Sequence, residues 1–307
     1  MPQESNKGLI GLLVIIVVFF TVFAIFTLYT IKKIGFSEKD EVVGYGKNPS
    51  GEMIGVVEIK GLIYESRDWV EMLQKAEKDD EIRAIIVRIE SPGGAVGPTQ
   101  EVYQEIIRID KEKPVYASFG SIAASGGYYI GSAARKIFAN PGTLTGSIGV
   151  IMEFMDLSQL YKFAKVDPYP MKSGRYKDMG DTARKLTAEE NALIQDVLDS
   201  VHDQFKEDIL KRRKDKIKGK FVDIAQGQIF SGSQALKIGL VDELGSLWAS
   251  GRSIQKELNI KGDLRLKFIK MKKDFSWIDF FKNIEESVTR ITGFAGMGKI
   301  PMFLYGN

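Results

Sequence analysis

Few residues of this chain are able to do covalent chemistry. The stretch Ala123-Ala124-Ser125-Gly126-Gly127-Tyr128-Tyr129 sets one hydroxyl among side chains too small to screen it. An attacking serine needs its Oγ open to an incoming carbonyl and a backbone N–H nearby to hold the oxyanion, and Ala or Gly neighbours permit both. A helix starting at Gly126 would add its N-terminal dipole to that pocket. The same serine also suits the N-cap of a helix over Gly126 to Arg135, and on composition alone the cap is the favoured reading. Ser91-Pro92-Gly93-Gly94 follows the apolar run Ile82 to Ile89, at the carboxyl end of a predicted strand, where ligands bind in open α/β sheets. Its glycines free backbone N–H groups and make it a candidate oxyanion loop, although alone it reads as an ordinary Pro-Gly turn.

A serine nucleophile needs a base. The chain has a single histidine, His202, and no cysteine. His202 falls beside the apolar stripe of a predicted long helix with no obvious carboxylate to orient it, so a His-based triad finds no support. What remains is a lysine made neutral by burial. Lys177, within Lys172-Ser173-Gly174-Arg175-Tyr176-Lys177-Asp178-Met179-Gly180, stands in a glycine-flanked loop beside an aromatic. Many other lysines are candidates, and exposure is the default for each. The absence of cysteine removes disulfides, thiolate nucleophiles and cysteine-based zinc or iron sites. No Walker loop or dinucleotide fingerprint is present, so no cofactor and no metal are implied.

The elements that must position these groups are legible in outline. The 307 residues, 44% hydrophobic, are enough for a sizeable core. Basic and acidic residues number 43 and 40 and are interspersed, except at Lys211-Arg212-Arg213-Lys214. That run ends a predicted amphipathic helix and reads as a solvated helix end, so no nucleic-acid partner is expected. From Leu9 to Ile31 no residue is charged, and such a run reaches roughly 34 Å as a helix, long enough to cross a bilayer and too long for a signal-peptide core. The expected order is therefore a short segment 1–7, a transmembrane helix 8–31 and a polar tether 32–52. Lys7 on one side and Lys32 and Lys33 on the other leave its orientation open.

From Met53 the pattern turns to short β-branched runs alternating with amphipathic ones, which implies an α/β domain over 53–269. Strands are predicted at Ile54 to Ile59, Ile82 to Ile89, Val115 to Phe119, Lys136 to Ala139, Ser147 to Met152 and Leu264 to Ile269. Thr187-Ala188-Glu189-Glu190 reads as a capping box opening the longest helix. The tail 270–307 is amphipathic and apolar, suited equally to a membrane surface and to packing back on the domain.

Taken together, Ser91-Pro92-Gly93-Gly94, Ala124-Ser125-Gly126-Gly127-Tyr128, Thr145-Gly146-Ser147-Ile148-Gly149, Lys172-Ser173-Gly174 with Tyr176-Lys177-Asp178, and Gly239-Leu240-Val241-Asp242-Glu243-Leu244-Gly245 occur in one order that closely resembles the signal peptide peptidase A family, in its short, single-unit form. The resemblance covers roughly Met53 to Glu257. It implies a membrane-anchored serine endopeptidase with a Ser-Lys dyad: Ser125 the nucleophile, Lys177 the general base, Ser147 the serine that coordinates the lysine. The oxyanion donors would be N–H groups of Gly93 or Gly94 and of Gly126. The implied fold is a Clp protease/crotonase-like ββα spiral behind an N-terminal transmembrane helix. Also implied are a single-pass anchor in the cell membrane, a catalytic domain outside the cytoplasm, and homo-oligomeric rings in which one protomer's serine meets its neighbour's lysine. Hydrophobic peptides, remnant signal peptides among them, would be the substrates. Two other readings stay open here: a crotonase-type acyl-CoA enzyme with the same oxyanion geometry, and a membrane-anchored scaffold that binds peptides without cutting them.

Overall fold

The computed structural model describes residues 15–27, 40–44, 51–271 and 302–304, and the chain divides into two compact units. In the first, residues 15–27 form a helix, α1. Its side chains are apolar apart from Thr21 and Thr27, whose hydroxyls donate to the carbonyls of Val17 and Phe23 at 2.7 and 2.6 Å and so need no outside partner. Phe19, Phe20, Phe23 and Phe26 are all exposed. Among the described residues no helix is long and apolar enough to cross a membrane. The expected span 8–31 runs beyond α1 at both ends, outside the described residues.

The second unit is a mixed α/β domain. In chain order it contains β1 (Glu41–Val43), β2 (Met53–Lys60), α2 (Arg67–Lys78), β3 (Ile82–Ser91), β4 (Gly93–Ala95), α3 (Val96–Ile109), β5 (Val115–Ala124), α4 (Gly126–Ser132), β6 (Ile137–Ala139), β7 (Leu144–Gly146), α5 (Ser158–Phe163), α6 (Ala188–Arg213), α7 (Phe221–Ile224), β8 (Ile229–Ser231), α8 (Gly232–Ile238), β9 (Glu243–Leu244), α9 (Leu247–Glu257), β10 (Leu266–Phe268) and β11 (Met302–Leu304). The main sheet runs β1-β10-β2-β3-β5-β6-β9, with β7 on β5 and β8 on β7. It is parallel throughout except at β1·β10 and β7·β8.

Strand β3 shows why the sheet sits in the middle. Ile85, Val87 and Ile89 join one buried cluster with residues of α2 and α3, whereas Ala84 and Ile86 join another with Ile254 of α9. Alternate residues of a strand point to opposite faces, and here both faces are covered, so Ala84 to Val87 is apolar on both, with Arg83 and Arg88 on either side.

Several elements differ from expectation. Within the stretch read as a tether, Glu41–Val43 pairs antiparallel with β10. The strand expected at Ser147 to Met152 lies earlier, at Leu144–Gly146, because Gly146 and Ser147 take φ of 84° and 49° and end the extended run. Helix α4 stops at Ser132 rather than Arg135. Helix α6 begins with the predicted capping box, Thr187 accepting from the Glu190 N–H and the Glu190 carboxylate accepting from the Thr187 N–H.

The basic end of α6 is not all solvated. Arg213 is fully buried, its guanidinium donating to Asp242 Oδ2 and to the Gly239 carbonyl, each at 2.9 Å. Arg212 pairs with Asp110 at 2.5 Å. A charge run cannot tell which of its members turns inward. Of the tail 270–307, most lies outside the described residues, but Met302–Leu304 forms β11, antiparallel to β4.

Candidate active site

The register of the sheet assembles the site. Strand β5 pairs with β3 through Ala123 and Ser91 and with β7 through Ala124 and Gly146. Ser125 and Ser147 therefore emerge one residue past the same last rung. Ser125 donates its N–H to the Gly146 carbonyl at 2.8 Å, and Ser147 donates its own to the Gln228 carbonyl at 2.6 Å. Both serines have left-handed φ, 53° and 49°, a conformation that costs a non-glycine residue on the order of 1–3 kcal/mol and survives only where the surroundings impose it.

Ser125 stands at the N-cap of α4, but its side chain makes no capping hydrogen bond. Its Oγ is buried and has no hydrogen-bond partner among the described residues. The capping reading thus holds for position and fails for chemistry. The N–H of Gly126, first in α4, lies outside the intrahelical ladder and is free to serve an oxyanion. Small residues here have a packing reason as well: a Cβ on Gly127 would come within 2.7 Å of the Ser91 carbonyl oxygen.

The two tyrosines after the glycines tether α4. Tyr128 donates to the Leu240 carbonyl at 3.1 Å, and Tyr129 donates to the Asp208 carboxylate on α6. Burial, then the adjacent Asp208, pushes the Tyr129 phenol far above its ordinary range, so it stays a donor. Its ring lies 4.6 Å from that of Phe205 and 5.0 Å from that of Tyr103. The sequence shows the two aromatics and gives no sign of Asp208, which is 79 residues further along the chain.

In the loop after β3, Gly93 has φ 111° and donates its N–H to Ser91 Oγ at 3.1 Å. Gly94 lies against Ile63, where a Cβ would fall 2.1 Å from the Ile63 carbonyl oxygen. His202 Nε2 donates to the Ile148 carbonyl at 3.2 Å, one residue past Ser147. It steadies that loop and makes no bond to Ser125.

Lys177 is the residue the protomer does not bring in. It is exposed, on a segment of turns, and among the described residues its ammonium makes no hydrogen bond or ion pair. Its neighbours are fixed. Asp178 accepts from Lys172 and pairs with Arg184 at 3.0 Å, and Arg184 also pairs with Glu190 at 2.7 Å. The Arg184 and Lys172 cations hold the Asp178 carboxyl down at about 2, and Arg184 holds Glu190 at about 2 as well. The segment leading to this loop exposes apolar side chains, Met155 at 56%, Phe163 at 87% and Met171 at 95%.

A serine on a strained strand-to-helix turn, with a helix N-terminal N–H beside it and a glycine loop on the next strand, is an arrangement suited to a serine hydrolase of α/β architecture. The model of peptidase family S49 matches residues 107–261, and the chain belongs to that family; it is a serine peptidase. It is 38% identical over 201 residues to a Synechocystis protein named as a protease, covering 65% of this chain and 72% of the relative. Identity is 35% to an Enterococcus faecium protein named as a signal peptide peptidase SppA, over 63% of this chain and 56% of that one. It is 29% to the chloroplastic serine protease SPPA of Arabidopsis thaliana, over 71% of this chain and 32% of that one.

Proposed function

We propose that this chain is a membrane-anchored endopeptidase that cleaves apolar peptides, remnant signal peptides among them, with a Ser125–Lys177 dyad completed between neighbouring copies. The observation that carries the reading is the Ser125 hydroxyl, buried and without a hydrogen bond, at a strained turn beside the Gly126 N–H. A hydroxyl so placed costs stability and contributes none, which is expected of a group kept for reaction.

In this reading the neutral Lys177 amine takes the Ser125 proton as Oγ attacks the scissile carbonyl. The same lysine then protonates the leaving amine, and later activates the water that releases the acyl group. Ser147, beside Ser125, holds the lysine. The oxyanion rests on the N–H of Gly126 and on that of Gly93, which exchanges its bond to Ser91 Oγ for the substrate oxygen. Gly94 is less suited, since its N–H faces the edge of β4 on which β11 pairs and is therefore placed to bind a strand backbone.

Two facts support sharing of the site. Among the described residues no base is bonded to Ser125 Oγ, and Lys177 sits exposed beyond a segment that presents Met155, Phe163 and Met171 to solvent. A second copy covering that apolar face would bring the lysine to the serine, and burying an amine favours its neutral form. We read the fold as the Clp-like spiral that forms such rings. The apolar exposed helix α1 supports an anchor within 8–31, with the catalytic domain on the extracytoplasmic side, where signal peptides are released.

The test is hydrolysis of an apolar fluorogenic peptide by the full chain in detergent. Turnover that disappears in Ser125→Ala supports the reading; equal turnover by both chains rejects it.

A further inference from the structure

Strand β5 is irregular shortly before Ser125. Phe119 faces Ile89 on β3 and Ala123 faces Ser91, so the single residue Glu90 stands opposite three, Gly120, Ser121 and Ile122. One extra residue would turn every later side chain to the other face, whereas two restore the alternation. Phe119 and Ala123 accordingly enter the same buried cluster. At this bulge β5 also changes its neighbour on the far side: its last rung with β6 is Phe119 and Ala139, and its first with β7 is Ile122 and Leu144. The bond from the Ser125 N–H to the Gly146 carbonyl depends on that change.

A bulge takes backbone groups out of the ladder, and they need other partners. Side chains supply them here. Ser121 donates its N–H to Glu90 Oε2 at 2.7 Å. The Gly120 carbonyl accepts from the buried Thr143 hydroxyl at 2.5 Å. Arg88 donates to the Phe119 carbonyl at 3.1 Å and to Glu90 Oε1 at 2.9 Å, so the carboxylate is itself held. Gly120 makes the room: a Cβ there would fall 1.4 Å from Glu90 Oε1, and its φ is not left-handed, so space rather than backbone conformation demands glycine.

We infer that Glu90 is a positioning residue for the reaction: its carboxylate pins the bulge in β5, and the bulge brings Ser125 to the Gly146 carbonyl, beside Ser147 and the Ser91 loop. That Ser125 is the nucleophile rests on the reading proposed above; the pinning does not. A carboxylate that acts only through the backbone sets where the attacking oxygen stands and leaves peptide binding alone, so its loss lowers kcat at constant KM.

The test keeps the full chain. Glu90→Ala removes the acceptor, and one charge-assisted hydrogen bond corresponds to about tenfold, read as kcat for an apolar fluorogenic peptide and as the rate at which a fluorophosphonate labels Ser125. Glu90→Gln keeps an acceptor for the Ser121 N–H and stays within about twofold of the unaltered chain. Gly120→Ala drives the carboxylate out and matches Glu90→Ala, while the two changes together cost no more than either, because the space is already empty. Hydrogen exchange of the amides of 121–125, followed by mass spectrometry on chains shown to be folded, quickens in Glu90→Ala and Gly120→Ala but not in Glu90→Gln. If kcat and labelling are unchanged in Glu90→Ala, or fall equally in Glu90→Gln, or exchange is the same in all chains, the positioning role is overturned while the peptidase reading stands. If no chain is labelled at Ser125 but exchange follows the expected order, the assignment of the nucleophile fails and the pinned bulge is upheld.

Discussion

Ser125 donates its backbone N–H to the carbonyl of Gly146 at 2.8 Å, and this one bond sets Ser125 beside Ser147. It extends the β5–β7 pairing by one step beyond the rung of Ala124 and Gly146. Past that step neither strand continues, because both serines turn to left-handed φ. The site is therefore a place where parallel pairing stops, with two hydroxyls on adjoining turns.

Replacing Ser125 separates activity from stability. Ser125→Ala should lose at least about a thousandfold in kcat, with Tm nearly unchanged, since Oγ makes no hydrogen bond. Ser125→Gly should be equally inactive and more stable by about 1 kcal/mol, because glycine accepts φ of 53° without strain. Denaturant unfolding of the three chains checks the order.

Gly94 and Gly97, three positions apart, should behave in opposite ways. Gly94→Ala places a Cβ 2.1 Å from the Ile63 carbonyl oxygen, which must push β4 away at a cost of about 1–3 kcal/mol and raise KM. Gly97→Ala, in the first turn of α3, meets nothing within 4 Å; it should be neutral or stabilising by about 0.5–1 kcal/mol. Thermal melts with a KM measurement on each variant compare them.

Arg213, fully buried, pairs at 2.9 Å with the partly exposed Asp242. Arg213→Ala should cost about 3 kcal/mol, by emptying a buried site and leaving the largely buried Asp242 carboxylate with Lys216 as its remaining cation. Burial alone would raise the Asp242 carboxyl, but Arg213 and Lys216 hold it below its ordinary 3.8. A depressed carboxyl contributes its stability above the unfolded value and loses it as pH falls below. The gap between wild type and Arg213→Ala should accordingly narrow below about pH 4, as urea titrations across pH will read.

The loop carrying Lys177 has the same sign. Asp178 and Glu190 sit at about 2, below ordinary values of 3.8 and 4.5. Their pairs with Arg184 are intact above those ordinary values and are lost as pH falls towards 2. Limited digestion by an acid protease should begin to cut 172–190 only between about pH 4 and 2, and Arg184→Gln should move the onset upward.

Much of this was legible in the sequence. Buried parallel strands announce themselves as β-branched runs, and the box at Thr187 is a local signal that held. Motif order placed Ser125, Ser147 and the Ser91 loop together, and the register does so. Other features depend on contacts between distant residues, which a local pattern cannot encode. The inward turn of Arg213 is decided by Asp242, and the anchoring of Tyr129 by Asp208. The base is different again: Lys177 was named by resemblance, and within one protomer no contact joins it to Ser125.

The most direct measurement mixes two inactive chains. Ser125→Ala and Lys177→Ala, each inactive alone, are co-assembled in equal amounts and assayed on an apolar peptide. A dyad shared between copies predicts recovery to about a quarter of wild-type activity, the fraction of contacts where an intact serine meets an intact lysine. No recovery from chains that demonstrably co-assemble, or full activity in Lys177→Ala alone, would contradict it.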